Sequence, residues 1–463
     1  MNDLHASQQN FQLMRDFIHE ALTSGALDEE FYSHPKYKGI FEPLMTEECN
    51  EEINGVVEDD NLFDESDTDI LECLLLLIDE YMRNNVLDMQ NPNFAGELYE
   101  ELQYVVSEVI FENCSLDLEN ETESINDLVV FSLETYFIYF PPRSSGNTFT
   151  TYINHEIIDK KIKSIREKYQ PVQRTDEWYS FRHNLITASS AHKIFDGQCS
   201  TNNIIFEKCK PITKSESAFV NVDSPLHWGQ KYEPVSVMIY ENLYNTTVED
   251  FGCICHDQHK FLGASPDGII TDKTSSRYGR MLEIKNIVNR EINGIPKKEY
   301  WIQMQLQMEV CDLNECDFLE TKFVEYQNED EFYEEEHGSK MKGVMIYFHD
   351  ILKNKPFYAY KTMDIDEKED IENWKQTVIA ENVSDNIIWI RNICWKLEEM
   401  SCVLVLRNND WFEMAVPYIK STWDIIASER ITGYSHREAN KRHKDCIENK
   451  NVCLINIKNK EKL

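Results

Sequence analysis

Ser265-Pro266-Asp267-Gly268, followed a short way on by Met281-Leu282-Glu283-Ile284-Lys285, is the stretch whose reading decides the fold. The first segment is a tight turn after an apolar run, because proline and glycine punctuate the chain there. The second reads as a strand, in which side chains alternate between faces, so Glu283 and Lys285 project from the same side. An aspartate at one strand end, facing a glutamate and a lysine on the next, offers two carboxylates to a hard divalent cation and an ammonium to a metal-bound water. That is the minimum equipment for hydrolysing a phosphodiester. Glu-x-Lys pairs are common in ordinary surface strands, so the neighbouring residues carry part of the argument.

Upstream, His227-Trp228-Gly229-Gln230-Lys231-Tyr232-Glu233 starts an amphipathic helix whose Glu233 offers a further carboxylate, and Pro234 directly after it predicts a kink or restart. Downstream, the helix around Tyr300 to Val310 puts Gln303 and Gln307 on one face, where neutral amides hold a phosphate or a metal-bound water without adding charge. Earlier still, Trp178-Tyr179-Ser180-Phe181-Arg182 precedes Ile186-Thr187-Ala188-Ser189-Ser190. Amide groups, serine hydroxyls and one guanidinium together suit a terminal phosphate, whereas the plain alternative is an N-cap with a surface arginine.

The ordered set Trp178-x3-Arg182, Ile186-Thr-Ala-Ser189, Gly229-x3-Glu233, Ser265-Pro-Asp267-Gly, Leu282-Glu283-Ile-Lys285 and Tyr300-x2-Gln303-x-Gln305 resembles the YqaJ and lambda-exonuclease (alkaline exonuclease) family of the PD-(D/E)xK nuclease superfamily. It runs from about Trp178 to Val310. Less securely, Arg407 to Ile426, with Asp410-Trp411-Phe412 and Trp423, resembles the carboxyl ends of versions encoded by large DNA viruses. The resemblance implies a restriction-endonuclease-like core, a mixed β-sheet flanked by helices. It implies that Asp267, Glu283, the Ile284 carbonyl and Glu233 bind Mg²⁺, for which Mn²⁺ can substitute. Lys285 would then orient or deprotonate the attacking water and Gln303 would contact the scissile region, while Arg182, Ser189 and Ser265 hold a 5′-phosphate and Gln303 and Gln305 contact DNA. The reaction implied is hydrolysis of duplex DNA from a 5′ end, leaving 3′ single strands, in recombination, repair or viral genome processing. Double-stranded DNA ends are the implied partner, with a single-strand annealing protein and self-association as further ones. The alternatives are a non-catalytic protein that binds DNA ends or scaffolds recombination, and an endonuclease of the same superfamily.

The chain has 463 residues and a formal charge of −37, which argues against coating DNA or an anionic membrane through bulk charge. Residues 1–150 hold 33 acids against 5 bases and residues 151–463 hold 50 against 41, and the break falls at Pro141-Pro142-Arg143-Ser144-Ser145-Gly146, which is linker chemistry. Three parts are therefore expected: an acidic, mostly helical accessory domain over 1–145, an α/β nuclease core over 146–365, and a helical extension with a basic tail over 366–463. Apolar spacing places helices in Ile70 to Met82 and Leu98 to Phe111 of the first part, and removing residues 1–145 is expected to leave a folded, active core. Within the core, strands are expected at Gly279 to Ile287, Cys316 to Phe323, Gly343 to Phe348 and Phe357 to Tyr360. Helices are expected from about Asp370 to Ile431. Thr175 with Asp176 and Glu177 opens a helix by N-cap logic.

A locally basic surface is needed to hold DNA. The candidates are Lys160, Lys161, Lys163, Arg166 and Lys168 on an amphipathic helix over Tyr152 to Tyr169, or the tail from Arg430 onward, with nine bases and four acids. Met1 to Phe17 has no basic region leading into an apolar run, and the densest apolar stretch, Leu74 to Ile78, is too short to span a bilayer. Thirteen scattered cysteines read as reduced thiols. An intracellular protein without a membrane anchor is expected, in host cytoplasm or nucleus if viral. Cys253-Ile254-Cys255-His256 with His259 invites a zinc reading, but its spacing fits no common four-ligand pattern.

Overall fold

The structure is a computed structural model, and it describes residues 65–105, short pieces between 129 and 143, 154–173, 175–212, 221–335 and 341–438. The helix expected at Ile70 to Met82 lies within α1 (Glu65–Asn84), and the one expected from Leu98 is described to Val105 as α2 (Phe94–Val105), residues 106–111 lying outside the described residues. Helix α3 (His155–Glu167) follows, capped by Asn154, and α4 (Asp176–His183) opens as expected, with the Thr175 hydroxyl accepting from the amide of Trp178. A short strand β1 (Ile186–Thr187) leads through one helical turn, α5 (Ala188–Ala191), to α6 (Gln198–Cys209) and the long α7 (Pro225–Tyr244).

Two sheets come next. Strands β3 (Ile254–Cys255) and β4 (Leu262–Ala264) form a small sheet with β1, and β4 runs parallel to β1. The main sheet begins at β2 (Val248–Glu249), β5 (Gly268–Ile270) and β6 (Met281–Asn286). Helix α8 (Lys298–Cys311) then crosses over to β7 (Glu315–Glu325), which lies parallel to β6. After α9 (Glu329–Glu334) come the hairpin β8 (Lys342–Asp350) and β9 (Lys355–Tyr360), then α10 (Lys368–Asn382), β10 (Ile387–Leu406) and α11 (Asn409–Thr432). The strand order is β2-β5-β6-β7-β10-β8-β9.

Strand β10 corrects the expectation of continuous helix from Asp370 to Ile431. It is twenty residues long and inserts antiparallel between β7 and β8, pairing Val405 with Cys316 and Cys394 with Val344. Its ends, Ile387-Ile-Trp-Ile and Cys402-Val-Leu-Val-Leu, are β-branched and apolar, and such residues settle in a strand once partners on both sides bury them. The expected helical extension after residue 365 therefore supplies a central strand of the core sheet.

The two faces of the sheet are covered differently. Met281, Cys316 and Phe318 pack toward α8, whose Trp301, Met304, Leu306 and Met308 are buried. Leu282, Ile284 and Leu319 face α7 through Tyr240, so β6 carries its odd-numbered residues to one helix and its even-numbered ones to the other. A buried ion network pins the turn between β5 and β6: Arg280 donates to Glu315 at 2.9 Å and Asp317 at 3.0 Å, and Arg277 and Tyr240 donate to Asp317 as well. Gly268 cannot be anything larger, since a Cβ there would lie 2.1 Å from a methyl of Val248 on the edge strand.

The described stretch of the acidic part packs onto the core. Leu74, Ile78, Met82, Met89, Phe94, Leu98 and Leu102 belong to the same apolar cluster as Trp301 and Trp411. Of the expected linker, Arg143 is described and is only 6% exposed, donating to the carbonyls of Met89, Gln90 and Pro296. A chain that buries an arginine between two layers is not a free hinge. Residues 1–64 and the basic tail after residue 438 lie outside the described residues.

Candidate active site and anion pocket

The turn before β5 and the strand β6 deliver the three central groups. Gly268 pairs with Leu282 and Ile269 with Met281, so the register sets Asp267 beside the level of Glu283. The Asp267 carboxylate accepts from the amide of Ile284 at 2.7 Å. Burial first, and the charge of Glu283 second, push the Asp267 carboxyl well above the ordinary carboxylate range, with Lys285 pulling the other way. Glu283 is completely buried under α8. Its Oε1 accepts from Lys285 and, at 2.8 Å, from Gln303, while its Oε2 accepts from Gln307 at 2.7 Å. Burial opposes the charge on Lys285, but Glu283 and Asp267 outweigh it and raise its pKa, and the ammonium also lies 4.8 Å from the Tyr300 ring centre.

Two neighbouring carboxylates, coupled through their charges and with one lysine beside them, are hard oxygen donors of the type Mg²⁺ and Mn²⁺ take. Glu233 stands in α7, close enough for its charge to raise the pKa of Asp267. Among the described residues, no three His, Cys, Asp or Glu side chains gather into one ligand group, so Glu233 does not join Asp267 and Glu283 at bonding distance. The helix does not restart at Pro234 as expected; α7 is continuous from Pro225 to Tyr244. Carbonyls near the proline find side-chain donors instead, Gly229 from Asn286 at 2.9 Å and Lys231 from Tyr360 at 2.8 Å.

The predicted anion pocket is brought together by the parallel pairing of β1 with β4. Ile186 pairs with Leu262 and Thr187 with Gly263, so the chains leaving these strands carry Ser189 and Ser265 side by side. Arg182 reaches both, donating to the Ser265 hydroxyl at 3.2 Å and to that of Ser189 at 3.4 Å, with its guanidinium 4.5 Å from the Trp178 ring centre.

Several expectations fail. Gln305 does not face DNA: it is 1% exposed, donates to the carbonyl of Leu406 at 2.9 Å and accepts from the amide of Asn408 at 2.7 Å, bracketing the end of β10. At about 100° per residue, the two positions between them turn it about 200° from Gln303, onto nearly the opposite face of the helix. The basic face of α3 is neutralised. Lys160 pairs with Glu156 at 2.6 Å, Lys161 with Asp312 at 3.2 Å, Lys163 with Glu167 at 3.9 Å, Arg166 with Glu249, and Lys168 with Asp257 at 2.9 Å. Gln307 turns out to hold Glu283 and the Ser265 carbonyl together, joining site and pocket through one side chain. The described cysteines are unpaired thiols, and the Cys255 thiol donates to backbone carbonyls. Among the described residues no helix is long and apolar enough to cross a membrane.

A mixed sheet that sets Pro266-Asp267 on one strand end beside Glu283-Ile284-Lys285 on the next has the arrangement of the PD-(D/E)xK class. Residues 177–314 match the model of the YqaJ-like viral recombinase domain. An uncharacterized protein of Acanthamoeba polyphaga mimivirus is 30% identical over 306 residues, 58% of this chain and 54% of its own length, so the chain spans about half of that relative. Among solved structures, the alkaline exonuclease of Laribacter hongkongensis, alone and in complex with dAMP, is 17% and 18% identical, with 55% of this chain and 94% of that one covered and a TM-score of 0.32 in both cases.

Proposed function

We propose that this protein is a metal-dependent DNA exonuclease that hydrolyses duplex DNA from a 5′ end and leaves a 3′ single strand. The observation that carries the reading is the joining of two sites by Gln307: the carboxylate pair with Lys285 on one side, and the Arg182–Ser189–Ser265 cradle on the other. A catalytic centre coupled to an anion cradle is what end-dependent cleavage needs, because a bound terminal phosphate fixes which phosphodiester meets the carboxylates.

Asp267, Glu283 and the Ile284 carbonyl would hold Mg²⁺ or Mn²⁺, and when bound the ion supplies Lewis acidity toward the phosphate and an activated water. The chain's own groups do the positioning. Gln303 and Gln307 fix Glu283, so its carboxylate points one way before substrate arrives. Lys285, tethered to Glu283 and kept as an ammonium by the two carboxylates, orients the attacking water. Arg182 with the two serines holds the 5′-phosphate, and no base-reading group is required for a reaction without sequence preference. The match of residues 177–314 to the YqaJ-like viral recombinase domain supports this reading.

The test uses purified full-length protein with Mg²⁺ and three substrates: linear duplex with a 5′-phosphate, the same duplex with a 5′-hydroxyl, and a closed circle. Strand-specific end labels report direction. Loss of nucleotides from the phosphorylated 5′ ends supports the exonuclease. Nicking of the circle would make it an endonuclease, and silence on all three, with Mn²⁺ as well, would favour a non-catalytic end-binding protein.

A further inference from the structure

The basic side chains of α3 are matched by carboxylates. The corner beside the anion pocket is different. Among the described residues, Arg182, Lys208 and Arg430 have no carboxylate within ion-pair distance, yet they stand together where α4, the end of α6 and the end of α11 meet. Arg430 is used up structurally: it donates to the carbonyl of Lys208 at 2.9 and 2.7 Å, to that of His183 at 2.8 Å and to the Asn184 side chain at 3.0 Å. Lys208 is not. Its ammonium donates to the carbonyl of Arg182 at 2.8 Å, and it has no other acceptor among the described residues, although an ammonium carries three donors.

The surroundings of Lys208 leave its charge unanswered. Glu207, the adjacent acid, is turned to Lys193 at 2.8 Å. Burial first, and then the charge of Arg182, bring its pKa down to about 8, with Arg430 adding to the effect and Glu207 and Cys253 opposing it. The buried Cys253 thiol, close to Arg182 and Ser265, is itself pushed up by burial and stays neutral. Burial also lowers the pKa of His183. Partly buried positive charge without a partner is unfavourable until an anion arrives.

We propose that Lys208 completes the anion pocket of Arg182, Ser189 and Ser265 and is the residue that makes it select a terminal phosphate monoester. An internal phosphodiester carries one negative charge, which one guanidinium answers, whereas a terminal monoester carries nearly two at neutral pH. The second charge calls for a second cation, and Lys208 is the cation with donors to spare. This rests on the exonuclease reading of the pocket, and the experiment separates the two.

Full-length protein in EDTA, which prevents cleavage, is titrated by fluorescence anisotropy with a hairpin duplex bearing a 5′-phosphate and with its 5′-hydroxyl twin. The wild type binds the phosphorylated end more tightly. Lys208→Met reduces that preference by at least about tenfold, the low end for one hydrogen bond to a charged group, while affinity for the hydroxyl end stays the same. Lys208→Arg retains the preference. In the wild type the ratio of the two affinities falls as pH rises from about 7 to about 9, and in Lys208→Arg it does not, because arginine stays charged throughout. This pH profile needs no folded Met variant. A wild-type preference that persists in Lys208→Met, or that is flat with pH, overturns the role of Lys208 alone. No preference in the wild type overturns the terminal-phosphate reading of the pocket and the proposal with it.

Discussion

Replacing Gln307 with leucine tests whether the site is held in shape before metal or substrate binds. The Gln307 side chain is fully buried and makes two contacts that leucine cannot, to Glu283 at 2.7 Å and to the Ser265 carbonyl at 3.2 Å. The first is a bond to a carboxylate, for which ~1.5–3 kcal/mol is typical, and the second is a neutral one of ~0.5–1.5 kcal/mol. Leucine has nearly the volume of glutamine, so no large cavity offsets or adds to the loss, and a destabilisation of ~2–4 kcal/mol follows from the two bonds together. Function is expected to fall further than stability. Glu283 Oε2 loses the one side chain that orients it, and loss of a group supporting a metal ligand costs ~10–100-fold in metal affinity or activity. The assay is nuclease activity against Mg²⁺ concentration, run beside thermal unfolding of the same preparation. A leucine variant that unfolds at the wild-type temperature and needs no more Mg²⁺ for half-maximal cleavage would refute the argument that Gln307 fixes Glu283.

Lys285→Ala is expected to abolish cleavage while leaving binding of duplex ends intact, and turnover at the wild-type rate would sink the role assigned to the ammonium. Deleting residues 1–145 should give a chain that does not fold alone, because it strips Met89, Phe94 and Leu98 from the shared core and removes Arg143 from three backbone carbonyls; a soluble, cooperatively melting truncation would show the packing to be dispensable. For acid stability, burial alone would raise the pKa of Glu309, but His256 and Arg407 hold it below its ordinary value. Its contribution is therefore present above the unfolded pKa of ~4.3 and lost as pH falls through the folded one. Arg407→Met should move the acid-unfolding midpoint to higher pH, and an unchanged midpoint in a pH titration followed by circular dichroism would remove Glu309 from the account.

The chemistry was legible where it depended on local spacing. Glu283 and Lys285 share a face because a strand alternates, and Gln303 and Gln307 share one because they are a helical turn apart, so two periods were enough to collect these four around one point. The cap at Thr175 was equally local. What failed needed partners distant in sequence. Whether Ile387 to Leu406 is helix or strand is settled by β8, which pairs with its first half, and β7, which pairs with its second, and not by its own periodicity. Whether a lysine on α3 is free for DNA depends on Asp312, Glu249 and Asp257, which only folding brings near.

By itself, then, the sequence determined the carboxylate–lysine centre and the helix that supports it, because both follow from the repeat of a single strand or helix. Tertiary structure decided the rest. Parallel pairing of β1 with β4 brought Ser189 to Ser265 and gave Arg182 two hydroxyls to hold. Burial turned Arg143 from a linker residue into a pin, and the meeting of α4, α6 and α11 left Lys208 with a charge that no carboxylate among the described residues answers. Electrostatic pairing and burial act through space, so no spacing along the chain encodes them.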